Sequence, residues 1–390
     1  MRERRKMDQP AEPTAAESLV RKGRVDQCRY YLSTGSTLLD LAVSGRWPGG
    51  VGSGRVTQII GDNSTAKTVV AKEILGAAQR AGGYAIEQDA EYAPDFGRAR
   101  LFGLDVGAWD DEAVEQKGVK LPLIEAVALD PKYCYRHPLS VESVFDDEIG
   151  VAALLTEGLM QDGVDKKTGD VKTKKAGIKL PGPLVVAVDT FTALPSKAEE
   201  ADRLDKASYR MAVAKSMSGG FRKWLKHIGR TQTTIVAVDH IRSAVGVVFG
   251  PEWTTSGGKA MQQYASTRIF LAHAGAIKRG EIEIGVWIRA KVIKNKIAPP
   301  FREAKFAVLF DYGIDDVRSN LEWLREQAAE GGRLRMSGAW YGWGEDRLGQ
   351  GIEGAIIGVE SKELEAEVEA EVERVWRELH APPNRKARKR

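Results

Sequence analysis

Short apolar runs, each closed by a polar residue or a glycine, alternate along the chain with stretches of helical period. Arg55-Val-Thr-Gln-Ile-Ile60 alternates and is rich in β-branched residues, which predicts a strand running directly into Gly61. A helical pattern follows from Thr68 to Gln79. Tyr84-Ala-Ile86 predicts a second short strand. Leu184-Val-Val-Ala-Val188 is continuously apolar and ends in Asp189, the form of a strand buried in a parallel sheet. Thr234-Ile-Val-Ala-Val238 repeats it and ends in Asp239-His240, with Met211 to Ile228 reading as a helix between the two. Strand and helix in alternation predict a doubly wound, mainly parallel α/β core.

Two segments break this rhythm. Residues 106–180 separate the second strand from the third and end in a Lys-rich piece, Asp162 to Lys179, which reads as an exposed loop. Near the C-terminus, Leu364, Val368, Val372, Val375, Trp376 and Leu379 fall on one helical face, and Pro382-Pro383 ends it. The expected organisation is a polar arm over 1–32, serving oligomerisation, and a core over 33–318 with an insertion at about 106–180. A small α+β domain follows over 319–380, with a basic tail over 381–390.

Composition changes this picture little. With 390 residues, 43% apolar and 29% charged, the chain suits a globular core plus a smaller domain. No run of 18 apolar residues predicts a membrane span, and the charged start lacks the apolar run of a secretory signal. Cys28 and Cys134 have no metal-ligand spacing, which favours a reducing, cytoplasmic setting. The net charge is only +4, but the first six residues hold four bases and the last six hold five. Such ends are either solvated tails or nucleic-acid contacts.

Candidate chemistry begins at Gly61-Asp62-Asn63-Ser64-Thr65-Ala66-Lys67-Thr68, between a predicted strand and a predicted helix. In that context main-chain N–H groups and a helix amino end can cradle phosphates. Lys67 would reach the β- and γ-phosphates, and the Thr68 hydroxyl would coordinate Mg²⁺. The usual pattern has glycine where Ala66 stands; if that position needs a positive φ, alanine costs roughly 1 kcal/mol. An ordinary strand–turn–helix remains the alternative. Asp189 ends a buried strand, as a carboxylate holding a Mg²⁺-bound water does, although a strand-end Asp is common. Glu91, just past the second strand, could polarise an attacking water or be a solvated loop acid.

With these residues the chain resembles the RecA family of recombinases. Ser33-Thr-Gly-Ser36, the Gly61 loop, Asp89-Ala-Glu91, Asp189, Ile241-Arg242, Thr254-Thr-Ser-Gly-Gly258, Tyr264-Ala-Ser266 and Lys291-Val-Ile-Lys-Asn-Lys-Ile297 occur in the family's order. Gly338-Ala-Trp-Tyr341 and Gly349-Gln-Gly351 extend the likeness, which covers roughly 33–105 and 181–380. The resemblance implies a RecA-like P-loop fold, ATP and Mg²⁺ as cofactors, and Glu91 as the catalytic carboxylate. It implies Asp95 at the adenine amino group and Lys294 and Lys296 as cations reaching a neighbour's ATP across a helical filament. It implies two DNA-facing loops. Lys215, Ser218 and Arg222 follow the first; Arg242, Val245, Gly246, Gly257, Gly258 and Lys259 belong to the second, with Val245 as a wedge between base triplets. The implied partners are single-stranded DNA, homologous double-stranded DNA and further copies of the chain, with no membrane.

Several positions depart from the family. Besides Ala66, His240 replaces a γ-phosphate-sensing glutamine, Gln263 an aromatic, and Arg98 a tyrosine that stacks on adenine. The tail is basic where the family's is acidic, and Glu91 and Asp189 stand 98 positions apart, farther than in the family. These mark a divergent member, of the sort a virus or plasmid carries. The implied activity is ATP-dependent homologous pairing and strand exchange in recombination and repair. A DNA-binding filament or mediator gated by ATP, with weak hydrolysis, is the alternative.

Overall fold

The computed structural model describes residues 28–107, 123–129, 132–165, 171–201, 206–243, 253–255, 259–327 and 331–381. Its centre is a ten-stranded sheet. The strands that matter are β1 (Val56–Gly61), β2 (Tyr84–Asp89), β3 (Tyr133–Arg136), β4 (Leu184–Asp189), β5 (Thr234–Ser243), β6 (Thr267–Arg279), β7 (Ile282–Asn295), β8 (Glu303–Leu309) and β9 (Gly313–Asp315). They lie in the order β9-β8-β7-β6-β1-β5-β4-β2-β3. The six from β6 to β3 are mutually parallel, while β7, β8 and β9 extend the sheet antiparallel.

The parallel strands are buried along nearly all of their paired length because helices cover both faces of such a sheet. Val56, Ile59, Ile86, Val185, Val186, Ile235 and Val236 are all fully buried. Helix α2 (Lys67–Arg80) follows β1 and buries Val70, Ile74, Leu75 and Ala78. Helix α5 (Lys206–Thr231), numbered after α1 (Thr37–Ser44), α3 (Phe96–Leu101) and α4 (Gly150–Thr156), buries Val213, Met217, Phe221, Trp224 and Ile228 at helical spacing. Its Phe221 meets Phe145 edge-on at 4.8 Å and stacks on Tyr264 at 5.1 Å.

The segment expected as one insertion over 106–180 proves to be of two kinds. Within it β3 pairs in parallel with β2 and closes that edge of the sheet, and the helical run from Val141 to Thr156 packs against α5. The Lys-rich piece is not the plain loop its composition predicted. Leu159–Val164 and Val171–Lys175 form an antiparallel hairpin that, among the described residues, pairs with no other strand, with Lys172, Lys174 and Lys175 exposed.

C-terminal to β9, α6 (Asp316–Gln327), a three-stranded antiparallel sheet over Leu334–Ser337, Trp340–Trp343 and Asp346–Gln350, α7 (Gly351–Ser361) and α8 (Glu365–Leu379) form a small α+β unit. The apolar stripe of α8 is buried at Val368, Val372, Val375 and Trp376, but Leu379, expected on that face, is 57% exposed. No helix among the described residues is long and apolar enough to cross a membrane.

Candidate nucleotide site

Register brings the candidate residues together. Gly61 at the end of β1 stands opposite His240 of β5, and Asp89 at the end of β2 stands opposite Asp189 at the end of β4. All four lie at the carboxyl edge of the sheet, where ligands bind in open α/β folds. The chain turns sharply there. A β-carbon on Gly61 would lie 2.6 Å from the Leu271 carbonyl oxygen, so the strand can approach β6 only without a side chain. Ser64 and Ala66 both take left-handed backbone, at φ 58° and 62°.

Lys67 opens α2 and is buried; its Nζ donates to the Asp62 carbonyl at 2.7 Å. Burial lowers its pKa, while Asp189, Glu91 and Asp62 oppose that shift. The Thr68 hydroxyl donates to Asp189 Oδ2 at 2.6 Å. Burial pushes the Asp189 carboxyl up to about 7; the Thr68 hydrogen bond works against this, and the negative charges of Glu91, Glu87 and Asp89 add to it. His240 Nε2 lies 3.2 Å from Glu91 Oε1. Ser64 to Thr68, Glu91, Arg98 and His240 share a cavity of about 390 Å³ with the apolar Phe102, Val286, Val308 and Phe310.

Behind this surface is a buried layer that the sequence did not announce. Gln58 donates to Asp239 Oδ2 at 2.6 Å, Arg268 Nε donates to Gln58 at 2.6 Å, and Thr190 donates to Asp239 Oδ1 at 3.0 Å. Burial raises Asp239 to about 6, against the hydrogen bonds from Gln58 and Thr190. The strand-end aspartate of Val238-Asp239-His240 was the available signal, but its partners come from three other strands or their ends.

The chain belongs to the RecA family. The family model described as the RecA N-terminal domain matches residues 12–117 and 158–315. Protein RecA of Thioalkalivibrio sulfidiphilus is 32% identical over 351 residues, covering 90% of this chain and 84% of that one. Protein RecA of Methylococcus capsulatus is 33% identical over 358 residues, with 91% and 86% covered. That of Rubrobacter xylanophilus is 32% identical over 339 residues, with 87% and 82% covered. Membership makes the chain an ATP-dependent recombinase of DNA recombination and repair: a DNA-dependent ATPase that uses ATP with Mg²⁺. Its partners are single- and double-stranded DNA and further copies of itself in filaments.

The remaining candidates of this RecA-family chain lie as follows. Asp95 caps α3, its Oδ1 accepting from the Arg98 N–H at 2.8 Å, and it does not line the cavity, whereas Arg98 does. Lys294 stands opposite Arg268, and Asn295 opposite Thr267, at the amino end of β6. The phosphate loop follows Gly61, which pairs with Leu271 where the parallel register of β1 and β6 ends. Four residues of strand, about 13 Å, separate the two edges. Lys294 is not the solvated strand-edge lysine that charge alone suggests: its Nζ donates to the carbonyls of Gln262 and Gln263 at 2.5 and 3.1 Å. Burial and the charges of Lys296 and Arg268 lower its pKa. Lys296 is exposed beside it.

Lys215, Ser218 and Arg222 fall on one face of α5, the two cations exposed and Arg222 Nε donating to the Ser218 carbonyl at 3.2 Å. Arg242 pairs with Thr254 in a short antiparallel extension of β5, and Lys259 opens the helix Lys259–Tyr264. Val245, Gly246, Gly257 and Gly258, like the tail after residue 381, lie outside the described residues.

Proposed function

We propose that the cavity beside Gly61 is the ATP site, with the main-chain N–H groups of Asp62 to Thr68 and the amino end of α2 directed at the phosphates. Lys67 exchanges the Asp62 carbonyl for β- and γ-phosphate oxygens. Thr68 and Asp189 hold Mg²⁺. One hydroxyl and one carboxylate are hard oxygen donors of the kind that would hold that ion. A cation there also offsets the burial, and the added negative charge of Glu91, Glu87 and Asp89, that raise Asp189. Bound Mg²⁺ shares the charge that develops on the transferred phosphoryl group.

Glu91 orients and polarises the attacking water, and His240, in hydrogen-bond reach of it, links that carboxylate to β5. Arg98 lays its guanidinium against the base, with Asp95 near the adenine amino group. Lys294 and Lys296, on the opposite edge from their own phosphate loop, serve the ATP of the next subunit. DNA phosphates meet Lys215, Ser218 and Arg222 on α5; Arg242, Gly246, Gly257, Gly258 and Lys259 serve as the second DNA-contacting set, with Val245 as the wedge between base triplets. Residues 33–318 act as the ATPase core and 319–380 as a terminal domain, in the cytoplasm.

The observation that carries this reading is the convergence of Lys67, Thr68, Asp189, Glu91 and His240, from four separate segments, on one edge of the sheet. ATP turnover with and without single-stranded DNA tests it. Glu91→Gln and Lys67→Ala are expected to lose DNA-stimulated turnover by about 10²-fold or more. Turnover within a few-fold of wild type in Glu91→Gln would remove Glu91 from the reaction.

A further inference from the structure

Asp89, two residues before Glu91, is held from the far edge of the sheet. Asp89 uses its carboxylate on the loop that follows it: Oδ1 accepts the Glu91 N–H at 2.8 Å and Oδ2 accepts the Ala93 N–H at 2.9 Å. The Tyr135 hydroxyl donates to the same Oδ2. His137 Nδ1 lies 3.0 Å from the Asp89 carbonyl oxygen; because a carbonyl can only accept, Nδ1 carries the proton. The His137 ring stacks on Tyr92 with centroids 4.2 Å apart and planes 11° apart, and it meets Tyr135 edge-on at 5.1 Å.

Tyr92 sits at φ 55°. Left-handed backbone is costly for a bulky residue and persists where its surroundings over-determine it. Here they do, since the carbonyl before Ala90, the amides on either side of Tyr92 and the Tyr92 ring itself are all engaged. Tyr133, Tyr135 and His137 alternate along β3 and its end, which puts them on one side of the strand. Tyr135 and His137 are buried, and neither lines the nucleotide cavity. Tyr133 turns to a separate partner, Glu87, itself paired with Lys72 at 2.8 Å.

We propose that Tyr135 and His137 are positioning residues for ATP turnover, fixing the loop from Asp89 to Ala93 so that Glu91 faces the γ-phosphate. This rests on Glu91 being the catalytic carboxylate. The two side chains touch neither nucleotide nor metal. They determine where the Glu91 carboxylate stands, and misplacement of a reacting group by about 1 Å can cost up to about 10²-fold in rate. Because the loop's contribution is to the reaction rather than to binding, its loss lowers kcat and leaves KM for ATP in place.

The test is steady-state, DNA-stimulated ATP turnover by the full chain. Tyr135→Phe keeps the ring and removes the hydroxyl; His137→Phe keeps a flat ring against Tyr92 and removes the Nδ1–H. Both are expected to lower kcat by about tenfold with KM for ATP within about twofold of wild type. Tyr133→Phe, on the same strand but bonded elsewhere, is expected to retain wild-type kcat. Added to Glu91→Gln, the Tyr135→Phe change is expected to have no further effect. Wild-type kcat in Tyr135→Phe and His137→Phe, with Glu91→Gln inactive, would overturn the positioning role alone. So would an equal fall in Tyr133→Phe, which would make the effect a general loosening of β3. An active Glu91→Gln would instead overturn the assignment of Glu91 on which the role depends.

Discussion

Ala66 holds the backbone at φ 62° and ψ 23° immediately before the helix that carries Lys67, with no side-chain cap on that helix. A β-carbon in this region crowds the neighbouring carbonyl, which glycine avoids, at a cost of about 1 kcal/mol or more. The position therefore demands the conformation that the family pattern supplies with glycine, and the chain meets the demand with strain. Ala66→Gly is expected to stabilise the fold by about 1 kcal/mol, a rise of about 1–2 °C in Tm for a chain of this size. Differential scanning calorimetry without nucleotide reads it directly. An unchanged or lower Tm would mean that neighbouring contacts already compensate the β-carbon. The strain concerns the loop's conformation, whereas Lys67, Thr68 and Glu91 remain in place around the cavity.

At the scale of elements, the hairpin over 159–175 joins the rest of the chain at its base, and its Leu159 and Val171 pack against the core. The Ala176 N–H donates to the Gly158 carbonyl at 3.0 Å, and the Leu180 N–H to the Leu155 carbonyl at 3.0 Å. Among the described residues its strands pair only with each other. Joining Gly158 to Ala176 through a short glycine link should therefore preserve the sheet, with Tm and DNA-independent ATP turnover within about 2 °C and twofold of wild type. A cooperative unfolding transition lost on excision would show the hairpin to be part of the core. The sequence announced β4 and β5 by a continuous apolar run with a chemically marked end, as in Val188-Asp189, β1 by alternating β-branched residues that end at Gly61, and β2 by the short run Tyr84-Ala-Ile86. It did not announce β3, since Tyr133-Cys-Tyr-Arg136 is four residues long with polar tips that find partners only in the fold: Glu87, Asp89 and Glu148. Site residues on the strand ends were legible for the same reason, while Tyr135, His137 and the Gln58–Asp239–Arg268 layer depend on register between distant strands.

Across the whole molecule, carboxylates at the seam between the core and the terminal unit add to the response of stability to pH that Asp189 and Asp239 also contribute. Asp40 of α1 is fully buried and Asp316 of α6 is half-buried, and Glu73 and Glu369 approach from α2 and α8. Thr37 of α1 donates both its N–H and its hydroxyl to Asp316 of α6, at 2.8 and 2.6 Å. Burial raises Asp40, Glu73 and Glu369 to about 7 and Asp316 to about 6. A carboxyl raised in the folded state stabilises the fold while it is protonated there. Its contribution is full below the unfolded value of 3.8 for Asp40 and is lost as pH rises through about 7. Asp40 is the cleanest test, because Oδ1 accepts both the Thr34 N–H and the Thr34 hydroxyl, at 2.8 and 2.6 Å, while Oδ2 has no hydrogen-bond partner. Asp40→Asn can keep both bonds through its carbonyl oxygen and removes the charge. Its advantage over wild type should be absent near pH 4, grow between about pH 4 and 7, and level off above that at a few kcal/mol. Urea unfolding of the two proteins across that range measures it. A difference that stays constant with pH would mean that Asp40 does not titrate in the fold, and would move the origin of the seam's pH response to Asp316, Glu73 and Glu369.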